Sequence, residues 1–187
     1  MSLDYTDGCV NFRDIGGYIN LIVGKEVLPE GQLLRGGSID YIQSVEEIGS
    51  AKSIINLRNG KDREDFDLDY FHFPMLNKVE KYDTAQKAVQ IWLNAILQLF
   101  EEESLAYPVL IHCLSGKDRT GIVVAALLLV LGIDINAIKE EYLLSQGEVR
   151  LEYIQLSLNG MKNITTYFNR VDLDKVRANV ARLKTIA

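Results

Sequence analysis

The sequence predicts a single α/β domain with a central, mostly parallel sheet of four or five strands flanked by helices on both faces. Short apolar, β-branched runs come before residue 113, and helical patterns dominate the remainder. No repeat, proline-rich linker or charge block divides the 187 residues, and 48% of them are hydrophobic, enough for one sizeable core. We therefore expect one domain spanning residues 1–187.

The strands are predicted from runs of apolar and β-branched residues bounded by turn residues. They are residues 18–23, 32–35, 53–57, 70–73 and 109–112. The last run follows Pro108, a residue suited to the start of a strand.

The helices are predicted from apolar residues at spacings of three and four. The clearest is 84–102, for which Asp83 and Gln86 are the expected capping pair. Further helices are expected at 119–131, ending at Gly132, and at 135–145, 148–159 and 172–184.

Composition excludes several classes of protein. A net charge of −6 disfavours a protein that coats nucleic acid or an anionic membrane. Two cysteines and two histidines are too few for a disulfide scaffold and predict neither a metal site nor a cofactor. No signal peptide is visible, and the longest apolar stretch, 121–133, is shorter than the roughly 20 residues that span a bilayer. We expect a cytoplasmic protein without a transmembrane segment.

The chemistry is concentrated at residues 108–121, where an apolar strand runs into a short gap and then into an apolar helix. Cys113 and Arg119 bracket the gap. If it closes as a loop, its N–H groups converge at the start of the helix and form an anion site suited to phosphate. The helix N-terminus and nearby cations would favour the Cys113 thiolate, and the Arg119 guanidinium could hold two phosphate oxygens. Gly116 permits the tight turn.

Other phosphate and nucleotide motifs do not fit. A nucleotide-binding P-loop needs Ser or Thr where Asp118 stands and glycine where Ile111 stands. The pairs Gly16-Gly17 and Gly36-Gly37 do not form a dinucleotide fingerprint.

The run His112-Cys113-x-x-Gly116-Lys117-Asp118-Arg119-Thr120-Gly121 resembles the signature loop of the cysteine-dependent protein tyrosine phosphatase superfamily, in the Lys-Asp form of bacterial phosphatases of tyrosine-phosphatase type. NFRDIGGY (11–18), LRGG (34–37), IINLR (54–58) and EEYLLS (140–145) are similar to further motifs of that family. The resemblance covers about residues 11–145 and leaves 148–187 as additional helices.

The resemblance implies a phosphotyrosine-phosphatase-like fold and a set of site roles. Cys113 would be the nucleophile that forms a phosphocysteine, and Arg119 would bind phosphate. The loop residues implied to bind the phosphate are Leu114, Ser115, Gly116, Lys117, Asp118 and Arg119. His112 would orient the loop, or is simply a buried, satisfied histidine. Thr120 would contact the thiolate, or bonds its own helix backbone.

The general acid is the open assignment, because the sequence holds no Trp-Pro-Asp. Asp118, within the loop, is the first candidate. Glu80 and Asp83 are reserve candidates, although Asp83 also suits a helix cap. The acidic run that follows the third predicted strand is expected to be a solvated face. Its members are Asp62, Glu64, Asp65, Asp67 and Asp69.

Lys117 bears on the substrate, since a second cation beside Arg119 suits a multiply phosphorylated molecule; alternatively it neutralises neighbouring acids. Arg13, Arg35 and Arg58 are expected to pair with acids such as Asp14, and Arg58 to be architectural. Cys9 would form a reversible disulfide with Cys113, as the resemblance suggests, or is a small apolar residue.

We therefore expect a metal-independent phosphomonoester hydrolase, a protein tyrosine phosphatase with relaxed specificity that acts on phosphorylated proteins. The alternatives are a phosphoinositide or inositol phosphate phosphatase and a phospho-binding module with weak turnover.

Overall fold

The computed structural model describes residues 8–63, 66–75 and 82–185 and contains one five-stranded sheet. The strands are β1 (Arg13–Asp14), β2 (Leu33–Gly36), β3 (Ser53–Asn56), β4 (Asp69–His72) and β5 (Val109–His112). Their order is β1-β2-β5-β3-β4, with β1 antiparallel to β2 and every other pairing parallel. Because β5 lies at the centre, Cys113 emerges at the carboxyl edge of the sheet between the ends of β2 and β3.

Seven α-helices and three 3₁₀ helices accompany the sheet in the described part of the chain. The α-helices are α1 (Ile15–Val23), α2 (Lys87–Leu97), α3 (Asp118–Val130), α4 (Ile135–Leu143), α5 (Leu151–Gly160), α6 (Ile164–Tyr167) and α7 (Leu173–Arg182). The 3₁₀ helices are Val45–Ile48, Gln98–Glu101 and Leu183–Thr185. α3 is buried over almost its whole length, which explains its nearly uninterrupted apolar sequence.

The two faces of the sheet are covered differently. Ile111 on β5 and Ile55 on β3 belong to the large core that includes buried residues of all seven α-helices. Leu110 and Ile54, their neighbours in sequence, face a smaller core closed by the 3₁₀ helix Val45–Ile48 and adjoining loops. The predicted mostly parallel sheet with flanking helices is confirmed, but the α-helices gather on one face instead of dividing between the two.

The predicted strand at 18–23 is wrong, because these residues belong to α1. The Asp14 carboxylate accepts hydrogen bonds from the N–H groups of Gly16 and Gly17 and so caps the helix N-terminus. Gly24, at φ 70°, ends the helix in the left-handed conformation. The caps at both ends outweigh the β-propensity of the residues between them.

The predicted capping pair of the helix at 84–102 is also wrong. α2 begins at Lys87, and the Gln86 amide donates to the Asp83 carboxylate (3.2 Å) instead of capping the helix. Thr84 is buried and donates its hydroxyl proton to the Ser157 carbonyl of α5 (2.7 Å), which holds the preceding turn outside the helix.

Searching the described residues for membrane spans finds no helix with both the length and the apolar character to cross a bilayer.

Candidate active site

The site is built around the loop at residues 113–119, which joins β5 to α3. Cys113 is only 2% exposed and directly follows the central strand. Gly116 adopts φ +64°, and a Cβ added there would lie 2.5 Å from the carbonyl carbon of Gly36. Because both the conformation and the space exclude a side chain, glycine is required at this turn.

Three successive carbonyls of the loop accept hydrogen bonds from outside it. Ser38 N–H donates to Leu114 O (2.9 Å), the Asn11 amide to Ser115 O (2.8 Å) and the Arg35 guanidinium to Gly116 O (2.8 Å). In a trans peptide the N–H points opposite to the C=O. The N–H groups of residues 115–117 are therefore directed away from these anchors, as an anion-binding loop requires.

A buried ion cluster supports this anchoring. Glu141 of α4 accepts hydrogen bonds from Arg13 (2.8 Å) and Arg35 (2.6 Å), and all three side chains are at most 5% exposed. Burial would raise the pKa of Glu141, but the two guanidinium groups outweigh it and hold that pKa below its ordinary value. The expected pairing of Arg13 and Arg35 with an acid is thus made with Glu141, whereas Asp14, the acid named as an example, caps α1. Burial, and then Arg13, lower the pKa of Arg35 to about 10.

Arg119 lies in the first turn of α3, half-buried, and donates one hydrogen bond from Nη1 to Leu57 O (2.8 Å). Leu57 follows β3, and its own N–H donates to His112 O (2.9 Å). The two loops are thus joined, and the remaining guanidinium donors, for which the described residues provide no partner, can bind an anion.

His112 is buried and bonded through one ring nitrogen. Its Nε2 lies 2.9 Å from Asp62 Oδ2, whereas Nδ1 has no partner among the described residues. The Asp62 side chain, 1% exposed, also accepts from Arg58 (3.0 Å) and from the Tyr70 hydroxyl (3.0 Å). The prediction of a solvated acidic face is therefore wrong for Asp62.

Of the remaining acidic run, Asp67 and Asp69 are exposed as expected, and Glu64 and Asp65 lie outside the described residues. Arg58 also binds Asp40 (2.9 Å), which agrees with its expected architectural role.

Asp118 is half-buried at the start of α3 and accepts a hydrogen bond from the Tyr82 hydroxyl at Oδ1 (2.5 Å). The hydroxyl of Tyr142 lies 2.8 Å from that of Tyr82. Burial first, and then the bond to Asp118, raise the pKa of Tyr82 far above its ordinary value. Asp118 is thus held by a tyrosine that keeps its proton.

The other predicted site residues are placed as follows. Leu114 is 60% exposed, and Lys117 precedes α3 without an ion pair to any described residue. The Thr120 hydroxyl donates to Gly36 O (3.5 Å). Asp83 bonds Gln86, and Glu80 lies outside the described residues.

Cys9 and Cys113 are both free and buried. Burial raises the pKa of Cys9 to about 12, with the Gly37 carbonyl as its hydrogen-bond partner. A thiol held in that form is a weak nucleophile. No group of three or more His, Cys, Asp and Glu within the described residues is arranged to hold a metal ion.

The sequence profile of the tyrosine phosphatase family matches residues 5–183. The chain belongs to the tyrosine phosphatase family. This confirms the predicted family and enzyme class, and it extends the match past residue 145 to include the C-terminal helices of this phosphatase.

Individual relatives match this chain either over a short stretch or at low sequence identity. A 42-residue stretch is 52% identical to the triple specificity protein phosphatase PtpB of Mycobacterium tuberculosis, and it covers 22% of this chain but only 15% of PtpB. The core catalytic domain of the PP-IP phosphatase SIW14 from S. cerevisiae aligns with a TM-score of 0.52 and 18% identity, over 76% of this chain and 95% of that one. TpbA of P. aeruginosa aligns with a TM-score of 0.49 and 19% identity, over 81% and 87% of the two chains.

Several residues of the site carried no functional signal in the sequence. Asp62 and Tyr82 reach the site only through the fold. Asn11, Glu141 and Tyr142 lie inside the motifs at 11–18 and 140–145, which indicate the family but not the roles of these residues.

Proposed function

We propose that this protein hydrolyses phosphomonoesters through a phosphocysteine intermediate on Cys113, without a metal ion, as a protein tyrosine phosphatase with relaxed specificity. The observation that carries the proposal is the loop at 113–119, whose carbonyls are bonded outward while the cysteine lies at its base. The triple specificity named for PtpB supports the relaxed specificity. The two free thiols suit a reducing compartment, and we place the activity in a bacterial cytoplasm.

The reaction assigns a step to each group. The Cys113 thiolate attacks phosphorus while loop N–H groups and Arg119 hold the non-bridging oxygens, an arrangement that stabilises the charge of the transition state. As the bond from phosphorus to the leaving oxygen breaks, Asp118 donates its proton to that oxygen. Asp118 then takes a proton from the water that attacks the phosphocysteine, which restores the thiolate.

The test compares phosphate release from a phosphotyrosine peptide, a phosphoserine peptide and a phosphoinositide, all in EDTA. Cys113→Ser should abolish release on every substrate, since a hydroxyl is a far weaker nucleophile than a thiolate. Cys9→Ser, a matched change at the second buried cysteine, should retain it. Persistent turnover in Cys113→Ser, or loss of turnover in EDTA, would refute the mechanism. A folded, reduced wild type that binds phosphate analogues without turnover would instead indicate a binding module.

A second candidate function, hydrolysis of phosphoinositides or inositol phosphates, is favoured by Lys117. This lysine has no ion pair in the described residues, and a Cβ built on Gly147 would lie 3.7 Å from its Nζ. The cation is thus available beside Arg119 for a second phosphate. Lys117→Ala should lower kcat/KM for an inositol polyphosphate at least about tenfold more than for a phosphotyrosine peptide, the value of one charge-assisted contact. The exposed Lys162→Ala is the matched control.

A further inference from the structure

Tyr82, a buried tyrosine, contacts Asp118, and a second buried tyrosine, Tyr142, contacts Tyr82. The mechanism described so far uses neither of them. Tyr82 Oη lies 2.5 Å from Asp118 Oδ1, and Tyr142 Oη lies 2.8 Å from Tyr82 Oη. Tyr82 is 5% exposed and Tyr142 is 1% exposed. The inference drawn from this contact rests on the proposed function, in which Asp118 is the general acid.

The direction of each hydrogen bond follows from proton counting. A hydroxyl carries one proton, and that of Tyr82 is donated to the Asp118 carboxylate. The proton between the two tyrosines must therefore come from Tyr142. The chain of donors runs from Tyr142 through Tyr82 to Asp118 Oδ1.

The ring of Tyr82 is fixed by packing as well. It stacks on Tyr153 with the ring centroids 4.8 Å apart and meets Tyr142 edge to face. Because both neighbours hold the ring, the Tyr82 hydroxyl has little freedom to move away from the Asp118 carboxylate.

We propose that Tyr82 is a positioning residue for Asp118: its hydroxyl occupies Oδ1 and leaves Oδ2 to carry the proton that the leaving group receives. During phosphoryl transfer the S–P bond forms, the bond from phosphorus to the leaving oxygen breaks, and the Oδ2 proton passes to that oxygen. Tyr82 keeps its own proton throughout.

A carboxylate at this position needs such a contact. Asp118 stands in the first turn of α3, where an unrestrained aspartate turns toward the free N–H groups of its own helix. The bond from Tyr82 holds Oδ1 and so opposes that turn toward the helix.

The leaving group itself provides the test. Phenyl phosphate has a poor leaving group that requires protonation, whereas 4-nitrophenyl phosphate has a good one that does not. The kcat/KM of each substrate reports the phosphoryl-transfer step. Tyr153→Phe is the matched control for Tyr82→Phe, because both variants lose one tyrosine hydroxyl and keep the ring. Thermal unfolding of each variant checks that it is folded.

Tyr82→Phe should lower kcat/KM for phenyl phosphate by about tenfold or more and for 4-nitrophenyl phosphate by less than about twofold, in the pattern of Asp118→Asn but to a smaller extent. Tyr153→Phe should leave the ratio of the two substrates unchanged. An equal loss on both substrates in a folded Tyr82→Phe, or no loss on either, would overturn the inference and leave the proposed function intact. Turnover that survives Cys113→Ser would instead refute the proposed function.

Discussion

At the residue scale, the environment of Asp62 is unusual. Its carboxylate is the hydrogen-bond partner of His112, although the two residues are 50 positions apart in the sequence. The carboxylate receives His112, Tyr70 and Arg58 as donors while almost wholly buried. A carboxylate surrounded by donors cannot be replaced by an amide without directing an N–H at one of them. The Asp62 side chain therefore holds His112, the residue that precedes Cys113, in place.

Asp62→Asn should lower the free energy of unfolding by about 3–5 kcal/mol, since it breaks a buried ion pair, leaves the His112 ring facing an amide and leaves Arg58 with Asp40 as its one acidic partner among the described residues. Turnover should fall as well, because the His112 ring loses the carboxylate that it bonds in the described part of the chain. Asp69→Asn, an exposed change in the same acidic stretch, should have little effect on either. Chemical denaturation of the three proteins measures the difference, and equal stabilities would contradict this role.

Asp62 also shows which features of the site the sequence does not predict. The nucleophile, the arginine and the glycine of the loop follow from local spacing, because strand, turn and helix are consecutive there. The burial of Asp62 and the contact of Tyr82 with Asp118, 36 residues away, depend on tertiary packing that no local pattern encodes.

At the scale of elements, the loop depends on the turn at Gly116. Gly116→Ala should abolish phosphate release and phosphate-analogue binding, since the new Cβ would meet the Gly36–Gly37 backbone at 2.5–2.6 Å. Gly132→Ala is the matched control: it is also left-handed, at φ +78°, but a Cβ there meets nothing within 4 Å. It should cost about 1–2 kcal/mol of stability while retaining activity. Full activity in Gly116→Ala would contradict the geometry of the loop.

α4 is joined to the site through Glu141, and this contact predicts a pH dependence. The folded-state pKa of Glu141 is lowered, so its contribution to stability is present above its ordinary pKa of 4.5 and is lost as the pH falls through the lower folded value. Glu141→Gln should therefore destabilise the protein by about 3–5 kcal/mol at pH 7. The difference from wild type should shrink below about pH 4.5. Denaturation at the two pH values measures this, and a constant difference would contradict it.

Element assignment from sequence failed where caps compete with propensity. The run at 18–23 is rich in residues that favour strands, yet Asp14 and Gly24 place it in α1. In α3, where the apolar pattern ends at the left-handed Gly132, the predicted helix at 119–131 and the observed Asp118–Val130 differ by one residue at each end.

For the whole molecule, the two cores on opposite faces of the sheet predict that neighbouring residues on β5 are both sensitive to truncation. Leu110 and Ile111 are adjacent on β5, and neither is exposed, although they belong to different cores. Leu110→Ala and Ile111→Ala should each lower the free energy of unfolding by about 2–5 kcal/mol. Leu21→Ala, at a leucine 63% exposed on α1, should leave it nearly unchanged. Tolerance of either central substitution would show that one face of the sheet is not buried.

The central claim is that catalysis passes through a phosphocysteine on Cys113. The direct measurement is rapid acid quench of the protein during turnover of 4-nitrophenyl phosphate, followed by mass analysis of the peptide that contains Cys113. We predict a phosphoryl group on Cys113 that forms as 4-nitrophenol leaves and before phosphate is released, and that is absent from Cys113→Ser, which should not turn over. Turnover without this adduct, with phosphate released at the full rate, would contradict the mechanism.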